Sequence, residues 1–318
     1  MNTRKIVIAA LLVVIGVPVV LILTAVVSVT VLNRTTGSIV SSGQKREYLL
    51  HVPRSYDRAT PTPLVISMHG AMNWPALQMK LSQWNQAADV NGFIVVYPSG
   101  TGTGPKAWFM EGAQMPSRMP DVRFISALID TLEATYNIDP TRIYANGLSN
   151  GGGMAFVLSC TLSDRIAAIG AISAAQSLPS NWCPDSTPVP MIAFHGTADR
   201  IVPYNGGKVW IAPLPFPSVR TWAADWARRN RCGPNPVESV VATDVTRLEY
   251  VSCADDATVV LYTVNGGGHA WPGGKPMPKW VVGRTTNSIN ATGEMWAFFR
   301  QHRLRLPDGR VPRTAGQH

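Results

Sequence analysis

Uninterrupted apolar runs alternate with stretches in which apolar residues recur every three or four positions, from about Gln44 onward. "EYLLHVP" (47–53), "PLVISMHG" (63–70) and "FIVVYP" (93–98) read as strands, and "LQMKLSQWNQAADVNG" (77–92) places Leu77, Leu81, Trp84 and Ala88 on one helical face. The helical spacing returns in 121–138 through Ile125, Leu128, Ile129 and Leu132, followed by the strand "RIYAN" (142–146). A helix to about Cys160, strands at 166–174 and 190–196, a helix at 219–230, a strand at 259–264 and a last helix from about Asn290 to His302 complete the pattern. Strands that are apolar on both faces and separated by helices imply a mainly parallel sheet covered on both sides, an α/β architecture.

No internal repeat or low-complexity linker interrupts this alternation, and the proline-rich patches at 60–63, 184–190 and 212–217 read as loops. One domain therefore occupies 44–306, with a basic tail at 307–318 that leaves no length for a separate polymer-binding module. Residues 1–33 follow another pattern. Arg4 and Lys5 precede an apolar stretch from Ile6 to about Leu32, longer than the core of a cleaved signal, and it reads as a membrane anchor or signal helix. Its basic start would stay in the cytoplasm and direct the domain outward. Cleavage near Ser28 is the alternative, although no Ala-x-Ala pattern marks it.

The 318 residues are 46% hydrophobic and 15% charged, enough for a substantial core and unlike a disordered chain. The formal charge of +9 owes much to Arg303, Arg305, Arg310 and Arg313 near the end, where no aromatic residue is interleaved, so nucleic acid is not the expected partner. Four cysteines in an exported chain point to disulfides. Cys232 follows a helical pattern and Cys253 ends a strand, which favours that pair and leaves Cys160 and Cys183 for each other. No Cys-x-x-Cys occurs and no histidine lies near any cysteine, so the spacing does not resemble a zinc site.

The chemistry centres on Gly147-Leu148-Ser149-Asn150-Gly151, between an apolar strand and an apolar helix start. Small flanking residues allow a serine in strained backbone to stand above a sheet as a nucleophile. Its base must come later in the chain, oriented by an acid. His302 lies on the last helix and His318 ends the tail, whereas His269 sits in "VNGGGHAWPGG" directly after a strand and is the candidate base. Asp199, just past "MIAFHGTAD", is the candidate acid, since Asp225 falls on a helix and Asp255 and Asp256 in a polar turn. His69 and His195 also end strands but precede the residues they would have to follow, and read as loop-shaping. The oxyanion donors are assigned to the backbone N–H groups of Asn150 and of Ala71 in "MHGAMNW". Trp108, Phe109 and Trp271 are candidates to line the acyl or aromatic pocket.

Together "LVISMHGAMNW", "GFIVVYPSG", "YNIDPTRIYANGLSNGGGMAF", "FHGTADRIVPYNGG" and "GGGHAWPG" resemble the esterase family of polyhydroxybutyrate depolymerases and feruloyl or acetylxylan esterases. The resemblance implies an α/β-hydrolase fold and hydrolysis of carboxylic esters with no metal or organic cofactor. It carries the triad onto Ser149, Asp199 and His269 and the oxyanion hole onto Ala71 and Asn150. Many relatives have cysteine where this chain has Ala71, so any cross-link made there is absent. The expected substrate is a soluble or envelope-bound ester. Acyl transfer to envelope sugars or lipids is the alternative, with peptidase activity ranked below it, and a nonenzymatic envelope-binding protein on the same scaffold is the rival from another class.

Overall fold

A computed structural model of the chain describes residues 34–102, 106–108, 119–174, 183, 187–209 and 215–305. The 1–33 segment, the 307–318 tail and Phe109 lie outside the described residues. Among the described residues no helix is long and apolar enough to cross a membrane.

Ten strands form one sheet: β1 (Gly37–Ser41), β2 (Gln44–His51), β3 (Thr62–Met68), β4 (Ile94–Pro98), β5 (Ile138–Leu148), β6 (Ala168–Ile172), β7 (Met191–Gly196), β8 (Val237–Ala242), β9 (Val245–Tyr250) and β10 (Val259–Val264). Their order is β1-β2-β4-β3-β5-β6-β7-β10-β9-β8. The centre, β4-β3-β5-β6-β7-β10, is parallel, and each edge is an antiparallel hairpin, β1–β2 on one side and β8–β9 on the other.

The seven helices of the described residues are α1 (Pro75–Ser82), α2 (Trp84–Asn91), α3 (Pro120–Thr135), α4 (Asn150–Thr161), α5 (Val219–Arg229), α6 (Lys279–Val282) and α7 (Ala291–Phe299). Strand alternation divides the core. Leu64, Ile66 and Met68 of β3 face the side packed by Phe124 and Leu128 of α3, Met154 and Val157 of α4 and Trp222 and Trp226 of α5. Val65 belongs with Trp84, Tyr144, Phe298 and Phe299 on the opposite side. Every residue of β3, β4, β6, β7 and β10 is buried, which explains why these strands read as unbroken apolar runs.

Three differences from the sequence reading have physical causes. The single helix expected over 77–92 is two, because Gln83 adopts a left-handed conformation (φ 57°) between α1 and α2. The Trp84 indole that follows donates to the Asn146 side chain of the central strand β5, at 3.1 Å. The sheet also begins at Gly37, ahead of the boundary drawn at residue 44, and ends in the β8–β9 hairpin, whose first strand is mostly exposed, with apolar residues that do not alternate. Disulfides join Cys160 to Cys183 and Cys232 to Cys253, the pairing expected from the sequence.

A buried ion pair fixes the β2 edge to α3. Arg46 donates to Asp121 at 2.6 Å and to the Ser99 carbonyl at 3.2 Å, with its guanidinium 4.1 Å from the centre of the Phe124 ring. Thr101 donates to the same carboxylate, so the loop after β4 is held by this pair as well.

Candidate active site

Strand β5 ends at Leu148, helix α4 begins at Asn150, and Ser149 between them has φ 54° and ψ −121°. A non-glycine residue there is strained by about 1–3 kcal/mol, a conformation that persists only when its surroundings enforce it. The flanking glycines allow this. A Cβ on Gly151 would strike the Met68 and His69 carbonyls, so only glycine lets α4 start this close to the end of β3. The Ser149 N–H donates to the Ile172 carbonyl at 2.8 Å, tying the turn to the neighbouring β6.

The other candidates lie past the carboxyl ends of strands in the same sheet. Asp199 follows β7 and His269 follows β10, two adjacent parallel strands. The His269 Nδ1–H donates to Asp199 Oδ2 at 2.8 Å, and both residues are buried, at 6% and 5% exposure. A carboxylate only accepts, so this contact places the ring proton on Nδ1 and leaves Nε2 as the acceptor. Asp199 Oδ1 accepts from the N–H groups of Ile201 and Val202 at 2.8 and 2.9 Å. Burial raises the pKa of this carboxyl, but the His269 hydrogen bond, the electrostatic pull of His269 and His195 and the Val202 N–H outweigh it, and it stays below the usual carboxylate value.

The glycine run before His269 has its own cause. A Cβ on Gly268 would overlap the Val282 carbonyl, because the loop presses against the segment after α6. The His269 N–H donates to that carbonyl at 2.6 Å, and the Ala198 N–H donates to the Gly267 carbonyl at 2.8 Å, so the loops carrying acid and base are bonded to each other as well as to their strands. Among the described residues no hydrogen bond joins Ser149 to His269, a contact that in a free enzyme commonly tightens only when substrate arrives.

The His-Gly loop lies against the nucleophile. A Cβ on Gly70 would sit 3.5 Å from Ser149 Cβ. Ala71 is exposed, and neither its N–H nor that of Asn150 is claimed by another described residue. His69 latches this loop: its Nδ1–H donates to the Gly70 carbonyl at 2.8 Å and its Nε2 accepts from the Gly100 N–H at 3.0 Å. Full burial, only partly opposed by the Gly70 hydrogen bond, lowers the imidazole to about 4, so it stays neutral.

Trp108 and Trp271 are each only 3% exposed. The Trp108 indole N–H donates to the His69 carbonyl at 2.8 Å, and the Asn150 side chain grips the Trp108 backbone, accepting its N–H at 2.6 Å and donating to its carbonyl at 3.1 Å. Trp271 donates to Thr292 at 2.9 Å. Both tryptophans thus offer little open surface, and the described contacts brace the loops that carry them. The Asn150 side chain was legible only as a neighbour of the nucleophile, and its grip on Trp108 depends on a loop contact that sequence spacing does not encode. Asn150→Ala keeps the backbone N–H but removes both contacts, and is expected to cost about 1–2 kcal/mol in urea unfolding.

Comparison with known proteins adds an independent line. The family model described as Phospholipase/Carboxylesterase matches residues 57–211. Over 236 residues the chain is 30% identical to a protein named feruloyl esterase B of Piromyces equi, covering 72% of this chain and 44% of that one. Similarity to a protein named feruloyl esterase D of Neurospora crassa is 26% over 259 residues, 76% of this chain and 79% of that one. The chain thus spans less than half of the first relative and most of the second. Among solved structures, an acetyl xylan esterase from Aspergillus awamori superposes with a TM-score of 0.60 at 15% identity, covering 83% of this chain and 98% of its own, a likeness of fold.

Proposed function

We propose, from the premise that the chain is a feruloyl esterase-like α/β-hydrolase, that it hydrolyses carboxylic esters through an acyl-enzyme on Ser149. The observation that carries this reading is the buried Asp199–His269 pair, at 2.8 Å, on the same sheet edge as a serine in strained backbone. Ser149 Oγ attacks the ester carbonyl while His269 Nε2 takes its proton, and Asp199 holds the imidazole in the required tautomer and balances the charge that develops. The Ala71 and Asn150 N–H groups receive the oxyanion, aided by the helix α4 N-terminus. The alcohol leaves with the proton from His269, and water enters by the same base to release the acid.

The substrate class we infer is an acyl or phenolic-acyl ester of a carbohydrate, supported by the feruloyl and acetyl xylan names of the relatives. Nothing in those names supports polyhydroxybutyrate. We place the enzyme outside the cytoplasm, tethered or released, on the strength of the apolar run in 1–33 and the two disulfides. The test is hydrolysis of methyl ferulate, an acetylated xylo-oligosaccharide, p-nitrophenyl acyl esters and a soluble hydroxybutyrate oligomer by the wild type. Turnover of the first two above the last is expected. Transfer of the acyl group to an added sugar in preference to water would replace hydrolysis with acyl transfer, and inertness of folded protein toward every ester would sink the enzymatic reading.

A further inference from the structure

Asp199 has a second histidine against it. His195, the fifth residue of β7, is 2% exposed, and its Nε2 lies 2.8 Å from the Val202 carbonyl and 3.4 Å from Asp199 Oδ2, the oxygen that accepts from His269. A carbonyl oxygen only accepts, so Nε2 carries the proton, shared unequally between Val202 and Asp199. The other nitrogen, Nδ1, is buried with no partner. A second proton on Nδ1 would therefore find no acceptor, and burial, opposed in part by the Asp199 charge, keeps this imidazole below the ordinary histidine value. The ring is a fixed neutral dipole with its positive end toward the acid.

Resting on the esterase reading above, we propose that His195 is a positioning residue that sets the charge balance of the Asp199–His269 pair through its Nε2–H. The argument is electrostatic. Asp199 Oδ2 divides its electron density between two imidazole N–H groups, so it pulls less strongly on the proton of His269 than a carboxylate with one partner would. Removing the His195 N–H would concentrate that pull on the His269 proton. The same Nε2–H bond to Val202 ties the strand end to the loop that carries Asp199. Among the described residues, the other charged and titratable groups around this arrangement are Tyr204, whose ring centroid lies 6.0 Å from that of His195, and Arg284, which lines the same small cavity and is paired with Asp244 at 2.8 Å.

The test measures the pH dependence of Ser149 labelling by a fluorophosphonate in the full chain, with Ser149→Ala as the blank. Three variants separate charge from shape. His195→Leu removes the N–H, His195→Asn withdraws a polar group to where it does not reach Val202, and His195→Gln restores a donor at the position of Nε2. The acid limb of the labelling rate is expected to move upward by about 0.5–1 pH unit in His195→Leu and His195→Asn, the size of one net hydrogen bond, and to stay near the wild type in His195→Gln. If His195→Leu does not fold, His195→Asn against His195→Gln decides. An equal loss of rate at every pH with the limb unmoved leaves only a structural role and overturns the proposal. Absence of Ser149-dependent labelling in the wild type overturns the esterase reading and this inference with it, a result distinguishable from the unmoved limb.

Discussion

Ser149→Ala is expected to lower kcat for any accepted ester by about ten-thousand- to a million-fold while the protein stays folded. The hydroxyl is the only atom lost, and the alanine inherits the backbone at φ 54°, so the turn and its hydrogen bond to Ile172 remain. What residual rate survives would come from the Ala71 and Asn150 donors acting on bound substrate with water as the nucleophile. Asp199→Asn is the sharper companion. An amide in place of the carboxylate turns an NH2 toward His269 Nδ1 or offers a neutral oxygen, and it no longer fixes the proton on Nδ1, so Nε2 is often protonated and no longer a base. A fall of about ten-thousand-fold is expected there, and stopped-flow release of p-nitrophenol measures both. Retention of more than a few per cent of the wild-type rate by Ser149→Ala, in protein of normal circular dichroism, would remove the serine from the mechanism.

Acidification is expected to destabilise the protein by about 3 kcal/mol through His69 alone. The sign follows from which state binds the proton. In the unfolded chain the imidazole titrates at its ordinary 6.5, whereas in the folded protein burial lowers it to about 4. Between those values the unfolded state takes up a proton that the native state refuses, so stability is full above about pH 6.5 and falls steadily toward about pH 4, below which this contribution no longer changes. His302, also lowered to about 4 by burial, works in the same direction from the other end of the sheet. Urea midpoints measured across this range would show the slope, and His69→Gln, less stable at neutral pH for lack of a well-fitted latch, should flatten it. An unchanged slope in that variant would mean that His69 is not the residue being titrated. Protonated His69 cannot accept the Gly100 N–H, so loss of the latch and loss of activity should coincide on the acid side.

Much of the site is legible because its requirements are local. The strained turn needs small residues at fixed offsets, hence Gly147 and Gly151 around Ser149; the loop of His269 needs room against Gly283, hence the run of glycines. Chain order and strand ends then select Asp199 over Asp225, and the structure bonds it to His269. The edges of the sheet are less legible, since β8 is mostly exposed and its apolar residues, Val237, Val240, Val241 and Ala242, neither alternate nor form a long run. The break at Gln83 is invisible for another reason: a left-handed glutamine is dictated by where Trp84 must reach, a tertiary demand with no local mark. The bracing hydrogen bonds of Trp108 to the His69 carbonyl and of Trp271 to Thr292 depend on how distant loops meet, which residue type does not encode.

The position of His269 in the sheet also has a consequence for how the chain reaches its working form. Asp199 and His269 are 70 residues apart, and between them lie α5, the Cys232–Cys253 bridge and the β8–β9 hairpin, while β10 sits beside β7. Closing such distant pairings is slow compared with local helix formation. During synthesis, the half of the molecule that holds Ser149 emerges before the strand that carries His269. On the proposed mechanism, a chain that ends before β10 lacks its base, and is expected to be catalytically silent even where the serine turn has formed.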